Sequence, residues 1–237
     1  MVKRPIPSGS GALLVLVVLI GINLRPFLTA IGPLAGEIDA QLALGMDRLA
    51  WVTLLPLLLI GVGVLLTPAL IDKTGPRPLL GAALLLLMLG SALRLDLASG
   101  ILLIASAALC GLGSALVQGT LPGLIKRAFA GKVPLVMGIF SACMMGGGAL
   151  GAVLTPRVAV HLDWSRALAL WSLPVLLALV WLGWRVRLPA AAPHSPVSGE
   201  QRLIALPRAW LLIACFGIIN SGYGIVVAWL APAYLAL

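Results

Sequence analysis

Seven apolar stretches follow one another along this chain, and only short polar connections separate the first six. Each is roughly twenty residues long, which matches the ~30 Å hydrocarbon core of a bilayer at ~1.5 Å of rise per helical residue. Inside hydrocarbon every backbone N–H and C=O must be satisfied within the protein, which leaves helices or a closed barrel. Repeated strand-like alternation is absent, so the spans are helices. Composition agrees: 61% of the 237 residues are hydrophobic and 10% are charged, too little polar surface for a soluble domain.

The spans fall at 12–31, 51–70, 79–95, 101–121, 133–155, 167–184 and 209–230. Between the sixth and seventh, Pro189, Pro193, Pro196 and Pro207 occur among Ser and Gly, the composition of an extended linker. The expected organisation is therefore a six-helix transmembrane bundle over 1–185, a cytoplasmic linker over 186–207 and a seventh helix over 208–237. The first apolar run continues too far for a signal peptide and lacks a small-residue cleavage site, so it reads as a retained span.

The net charge of +9 raises nucleic acid as a partner, but the basic residues are scattered singly and in pairs and build no basic platform. They suit topology instead. With the N-terminus inside, eleven of sixteen (Lys3, Arg4, Lys73, Arg77, Lys126, Arg127, Lys132, Arg185, Arg187, Arg202, Arg208) are cytoplasmic. Four (Arg48, Arg94, Arg157, Arg166) fall outside, which predicts a multi-pass protein of a bacterial inner membrane with a cytoplasmic N-terminus. Cys110, Cys143 and Cys215 lie in spans without metal-ligand spacing and read as packing residues; no metal or cofactor is expected.

Arg25 belongs to neither set. It stands beside Pro26 within "LIGINLRPFLTAIGPL", with apolar sequence on both sides. An Arg at the bilayer centre costs about 2.5–3.5 kcal/mol on insertion scales, tolerable where the guanidinium meets a wet cavity or a polar partner. Both readings stand: a solute contact, or glue between helices. Gly21, Arg25, Thr29 and Gly32 share a helical face, and Pro26 is expected to bend the span and re-aim Asn23. In the fourth span Gly111, Ser114, Ala115, Gln118 and Pro122 lie along one face; in the seventh, Gly217, Asn220, Tyr223 and Gly224 do. Arg25, Asn23, Thr29, Gln118, Asn220 and Tyr223 are thus the candidate solute-binding set, lining a cleft between spans one, four and seven. Gly147 and Gly151 form a GxxxG pair suited to close helix packing.

The loop "PALIDKTGPRPLLG" resembles the Asp-basic-x-Gly-x-basic signature of the major facilitator superfamily, matched by Asp72, Lys73, Gly75 and Arg77. Pro68 stands where that signature usually has Gly, and Pro76 interrupts its basic pair. The resemblance implies that Asp72, Gly75 and Arg77 form a conformational latch. The stretches beginning at Leu19, Gly119 and Gly217 look like the branch that contains cyanate transporters and nitroimidazole exporters. That likeness implies an all-α integral membrane protein: the N-terminal six-helix bundle of the major facilitator fold plus one helix of a second bundle. It further implies a secondary transporter that moves a small anion or polar solute such as cyanate by alternating access. Alternatives are an efflux carrier of the nitroimidazole type and a truncated, non-transporting remnant. Ala107 occupies the place of an Arg common in the superfamily's fourth helix, so that role is not carried over. Family members have twelve spans, so the expectation includes a missing second half or self-association. The other expected partners are the bilayer and a small, possibly anionic solute, with no nucleic acid. No His, Asp or Glu lies beside the Ser and Cys residues of the spans, which argues against an enzyme.

Overall fold

The computed structural model describes residues 10–96 and 99–186, and scattered helical positions between 207 and 226. It has two compact units, Met1–Ala191 and Ala192–Leu237. Among the described residues of the first, nine α-helices follow one another: α1 (Ser10–Asn23), α2 (Pro26–Thr29), α3 (Ile31–Leu42), α4 (Gly45–Thr74), α5 (Pro76–Ala92), α6 (Gly100–Ala128), α7 (Val133–Leu162), α8 (Trp164–Ala169) and α9 (Ser172–Arg185). A 3-10 turn over Leu93–Asp96 closes α5. Six of the resulting segments are long and apolar enough to cross a membrane: Gly11–Thr29, Asp47–Thr74, Pro76–Leu95, Gly100–Ala128, Val133–Leu162 and Trp164–Arg185. The second, fourth and fifth run well past the lengths expected from hydropathy, because their polar ends continue the helical hydrogen bonding. At the described positions the second unit is helical, within the range expected for the seventh span.

Small residues decide which helices touch. On α6, Gly111, Ala115 and Gly119 repeat every fourth residue and meet α4. A Cβ on Gly111 would sit 2.6 Å from the Pro56 Cα, and one on Gly119 would sit 2.6 Å from the Thr67 side chain. The opposite side of α6 meets α5, where a Cβ on Gly113 would lie 2.6 Å from the Ala83 carbonyl oxygen. In lipid no water is expelled by this approach, so close backbone packing is what holds such helices together. The sixth span is fastened to the start of the first and to α3: Trp181 Nε1 donates to the Ala12 carbonyl at 2.9 Å, and Trp164 Nε1 donates to Gln41 Oε1 at 2.6 Å. Indole N–H groups seek partners in this way when their rings are buried.

A repeat that hydropathy conceals becomes visible in the fold. Gly63 to Pro68 and Gly151 to Pro156 both read G-x-x-L-T-P, within α4 and α7 respectively. Each is followed at the same distance by a left-handed turn, Gly75 at φ 84°, ψ 161° and Asp163 at φ 76°, ψ 148°. A pair of three-helix repeats within one bundle has this form. Only glycine takes such dihedrals without strain, and a residue with a Cβ held there costs about 1–3 kcal/mol. The Asp163 side chain makes no capping bond in return. A negative charge at a helix start is worth at most about 1 kcal/mol, so strain is the larger effect. Asp163→Gly is therefore expected to raise the thermal unfolding midpoint in detergent, and an unchanged or lower midpoint would refute the strain.

Two apolar clusters fill the bundle. One gathers Leu16, Ile20, Leu24, Leu84, Leu121 and Phe140. The other gathers Ile31, Leu34, Ile38, Leu103, Trp164 and Leu168. The first span enters one cluster through residues up to Leu28 and the other from Ala30 on. The changeover falls at Ala30, between α2 and α3.

Candidate functional site

The first span is not one helix. Pro26 has no N–H to donate and its ring crowds the preceding turn, and α1 accordingly ends at Asn23 while α2 begins at Pro26. Arg25 stands in the gap at φ −118°, ψ −26°, and its carbonyl accepts from the backbone N–H groups of Leu28 and Thr29 at 3.0 and 3.1 Å. Its side chain is half-buried. A charged group thus sits near the middle of the helical stretch from Ser10 to Leu42.

The neighbouring candidates take up different work. Asn23 is buried; its amide donates to the Leu19 carbonyl at 2.7 Å, and its Oδ1 has no partner among the described residues. Thr29 is buried and donates to the Gly148 carbonyl of α7 at 2.8 Å. A Cβ on Gly21 would lie 2.8 Å from that of Cys143. The face that grouped Gly21, Arg25 and Thr29 is therefore, at both ends, the seam with α7. The expected GxxxG pair faces this seam from the other side. A Cβ on Gly151 would come within 2.7 Å of the Pro26 Cα, and one on Gly147 would collide with the Ile22 carbonyl oxygen. Gln118 is half-buried and donates to Ser114 Oγ of its own helix at 2.9 Å, while Gly111 and Ala115, grouped with it by spacing, pack on α4. Asn220 and Tyr223 lie outside the described residues.

At the far loop, Asp72 is exposed at the end of α4. Gly75 donates its N–H to the Ile71 carbonyl at 2.8 Å and turns the chain at positive φ. Arg77 reaches the Gly183 carbonyl near the end of α9 at 3.1 Å. Arg77 thus ties the third span to the sixth.

A second guanidinium, counted with the outer loops from the sequence, is the more deeply buried of the two. Arg94, 1% exposed, lies in the 3-10 turn that ends the third span. Its Nη1 donates to the Phe27 carbonyl at 3.1 Å and its Nε to Ser106 Oγ at 3.0 Å. Ser165 Oγ donates to the Arg94 carbonyl at 2.5 Å. Nη2 has no partner among the described residues. Hydrogen bonds to a charged group are worth about 1.5–3 kcal/mol each, and a buried donor left over costs a comparable amount. The signal in the sequence was slight: a lone Arg flanked by Leu93 and Leu95, with Ser106 and Ser165 far along the chain.

A six-span helical bundle whose first span breaks around a guanidinium defines a polytopic membrane protein with polar chemistry inside it. Residues 11–236 match the Major Facilitator Superfamily, and the chain belongs to that family. It is 37% identical over 227 residues to the cyanate transport protein CynX of Escherichia coli K12, covering 95% of this chain and 59% of that protein. It is 32% identical to the 2-nitroimidazole transporter of the same organism, over 92% of this chain and 56% of that one. The chain thus spans less than three-fifths of the length of these relatives. Among solved structures, a bacterial homologue of the human drug peptide transporters PepT1 and PepT2 shares the fold at a TM-score of 0.63 and 15% identity, over 96% of this chain and 52% of that one. The helical, multi-pass membrane architecture and the transporter family are settled by these likenesses together with the six spans.

Proposed function

We propose that this chain carries the first bundle of a secondary transporter in which Arg25 recognises a small anion or strongly polar solute, with cyanate the first candidate. One observation carries the reading: a half-buried guanidinium at the break of the first span. Low-dielectric walls strengthen a charge's pull on an anion far beyond its value in water. The name of the CynX relative supports cyanate, and that of the second relative supports a nitroimidazole as the rival substrate. Gln118, Asn220 and Tyr223 supply uncharged hydrogen bonds in this reading, and Asn23 and Thr29 hold the break. The cycle is alternating access, with the loop of Asp72, Gly75 and Arg77 as its latch. The chemistry is carriage rather than catalysis.

The same reading puts the protein in a bacterial inner membrane with its N-terminus in the cytoplasm. With Arg94 counted inside the bundle, basic residues divide eleven against three in favour of that orientation. Importing an anion against an inside-negative potential costs about 2.3 kcal/mol per charge per 100 mV, so accumulation requires coupling or exchange. The test is flux of isotope-labelled cyanate into proteoliposomes that contain this chain, with 2-nitroimidazole as competitor. Saturable flux above that of empty liposomes is expected. Flux equal to theirs, with no cyanate bound in equilibrium dialysis, would overturn the proposal.

A further inference from the structure

We propose that Arg94 is a positioning residue, which fixes the break in the first span and through it the direction of Arg25. The inference rests on the reading that Arg25 meets the solute, and it concerns how that side chain is aimed.

The geometry converges on one peptide. Phe27 follows Arg25 by two residues, with Pro26 between them, and its carbonyl accepts from Arg94 Nη1 at 3.1 Å. Proline locks φ, so holding the Phe27 peptide restricts the chain direction back to position 25. Arg94 is itself held on two sides. Ser106 accepts from its Nε at 3.0 Å and donates its own hydroxyl to the Leu103 carbonyl at 2.7 Å. Ser165 fixes the Arg94 carbonyl. The first, third, fourth and sixth spans thus meet at one residue, the first and fourth through its guanidinium and the sixth through its carbonyl. On the other side of the break, Pro26 lies against Gly151, and Thr29 is tied to Gly148. A break released by proline and left alone would sample several bends. Here it is gripped from both sides.

The partners of Arg94 among the described residues are a carbonyl and a hydroxyl, and one of its nitrogens is left without an acceptor. A network built for stability alone would be served as well by apolar packing, which carries no desolvation cost. A forked, permanently charged donor that reaches a carbonyl on one span and a hydroxyl on another suits the fixing of geometry better. Lysine offers one point of attachment in place of the fork.

The experiment places one spin label at Arg25→Cys and a second at His161→Cys in the full chain, with Cys143 and Cys215 changed to Ser. A control pair at Leu85→Cys and His161→Cys spans the same bundle without touching the break. With Arg94 intact the distance distribution from position 25 is expected to be narrow. Arg94→Gln should broaden it, Arg94→Lys should broaden it less, and the control pair should not change. A distribution from position 25 that Arg94→Gln leaves unaltered would overturn the proposal. So would equal broadening of both pairs, the mark of general loosening. If Arg94→Gln does not reach the membrane, Ser106→Ala and Arg94→Lys are read by the same criterion. In transport, Arg94→Gln should raise KM about tenfold, the loss of one charged hydrogen bond, with the maximal rate little changed. The label distances decide the role of Arg94 whether or not Arg25 binds solute. The failure of this inference and that of the transport reading are therefore separable.

Discussion

Arg25→Ala is expected to lower the ratio of maximal flux to KM by about a hundredfold or more, since truncating one member of a desolvated charge pair costs about 2–5 kcal/mol. The effect should fall on recognition first. Arg25 terminates the gap between α1 and α2 through its backbone, and the bonds from Leu28 and Thr29 to its carbonyl survive truncation of the side chain. The backbone turn at the break should therefore persist while solute affinity is lost. Arg25→Lys keeps the charge and loses the planar fork, so it should lie between the wild type and Ala. Labelled-solute flux in proteoliposomes, read beside thermal unfolding of the same preparations, separates the two effects. Affinity unchanged in Arg25→Ala would remove Arg25 from the site.

Gly147→Val is expected to give the largest loss of folded protein of any single change in the seam. A Cβ there meets the Ile22 carbonyl oxygen, its carbon and its Cα, and the last two are 2.7 and 2.8 Å away. These are backbone atoms, with no flexible side-chain end to swing aside. Overpacking of a filled core costs about 1–3 kcal/mol when side chains can shift, and more is expected where the obstacle is main chain. The matched control is its neighbour: a Cβ on Gly146 would meet nothing within 4 Å. Gly146→Ala should be close to neutral or mildly stabilising by the better helix propensity of Ala. Denaturant or thermal unfolding in detergent should rank the two far apart. Equal midpoints would mean that the first and fifth spans do not approach as described.

How much of this was legible beforehand follows from what periodicity can carry. The first six spans, the break at Pro26 and the family resemblance needed only apolar length, a proline and a loop signature. Spacing grouped Gly21 and Thr29, and both meet the same helix, α7. Spacing does not say, however, whether small and polar residues face a cleft or a neighbouring helix, because both uses favour the same side chains. Gly21 and Thr29 face α7, and Gly111 and Ala115 face α4. Gly147 was legible as a packing residue, but its partner at Ile22 was not. Arg94 escaped for a different reason. At the edge of a span a lone Arg looks like a loop residue, and its partners lie 12, 67 and 71 positions away. The repeat around Thr67 and Thr155 is too short to stand out against a background rich in Leu and Gly.

The account depends on water reaching position 25. The most direct measurement is modification of Arg25→Cys, in a chain with Cys143 and Cys215 changed to Ser, by a membrane-impermeant thiol reagent. Asp72→Cys, at an exposed position, serves as the reactive control. The account predicts that the thiol at 25 reacts and that added cyanate slows the reaction. A thiol at 25 that stays unmodified from both faces of the membrane, while the control reacts, would contradict it.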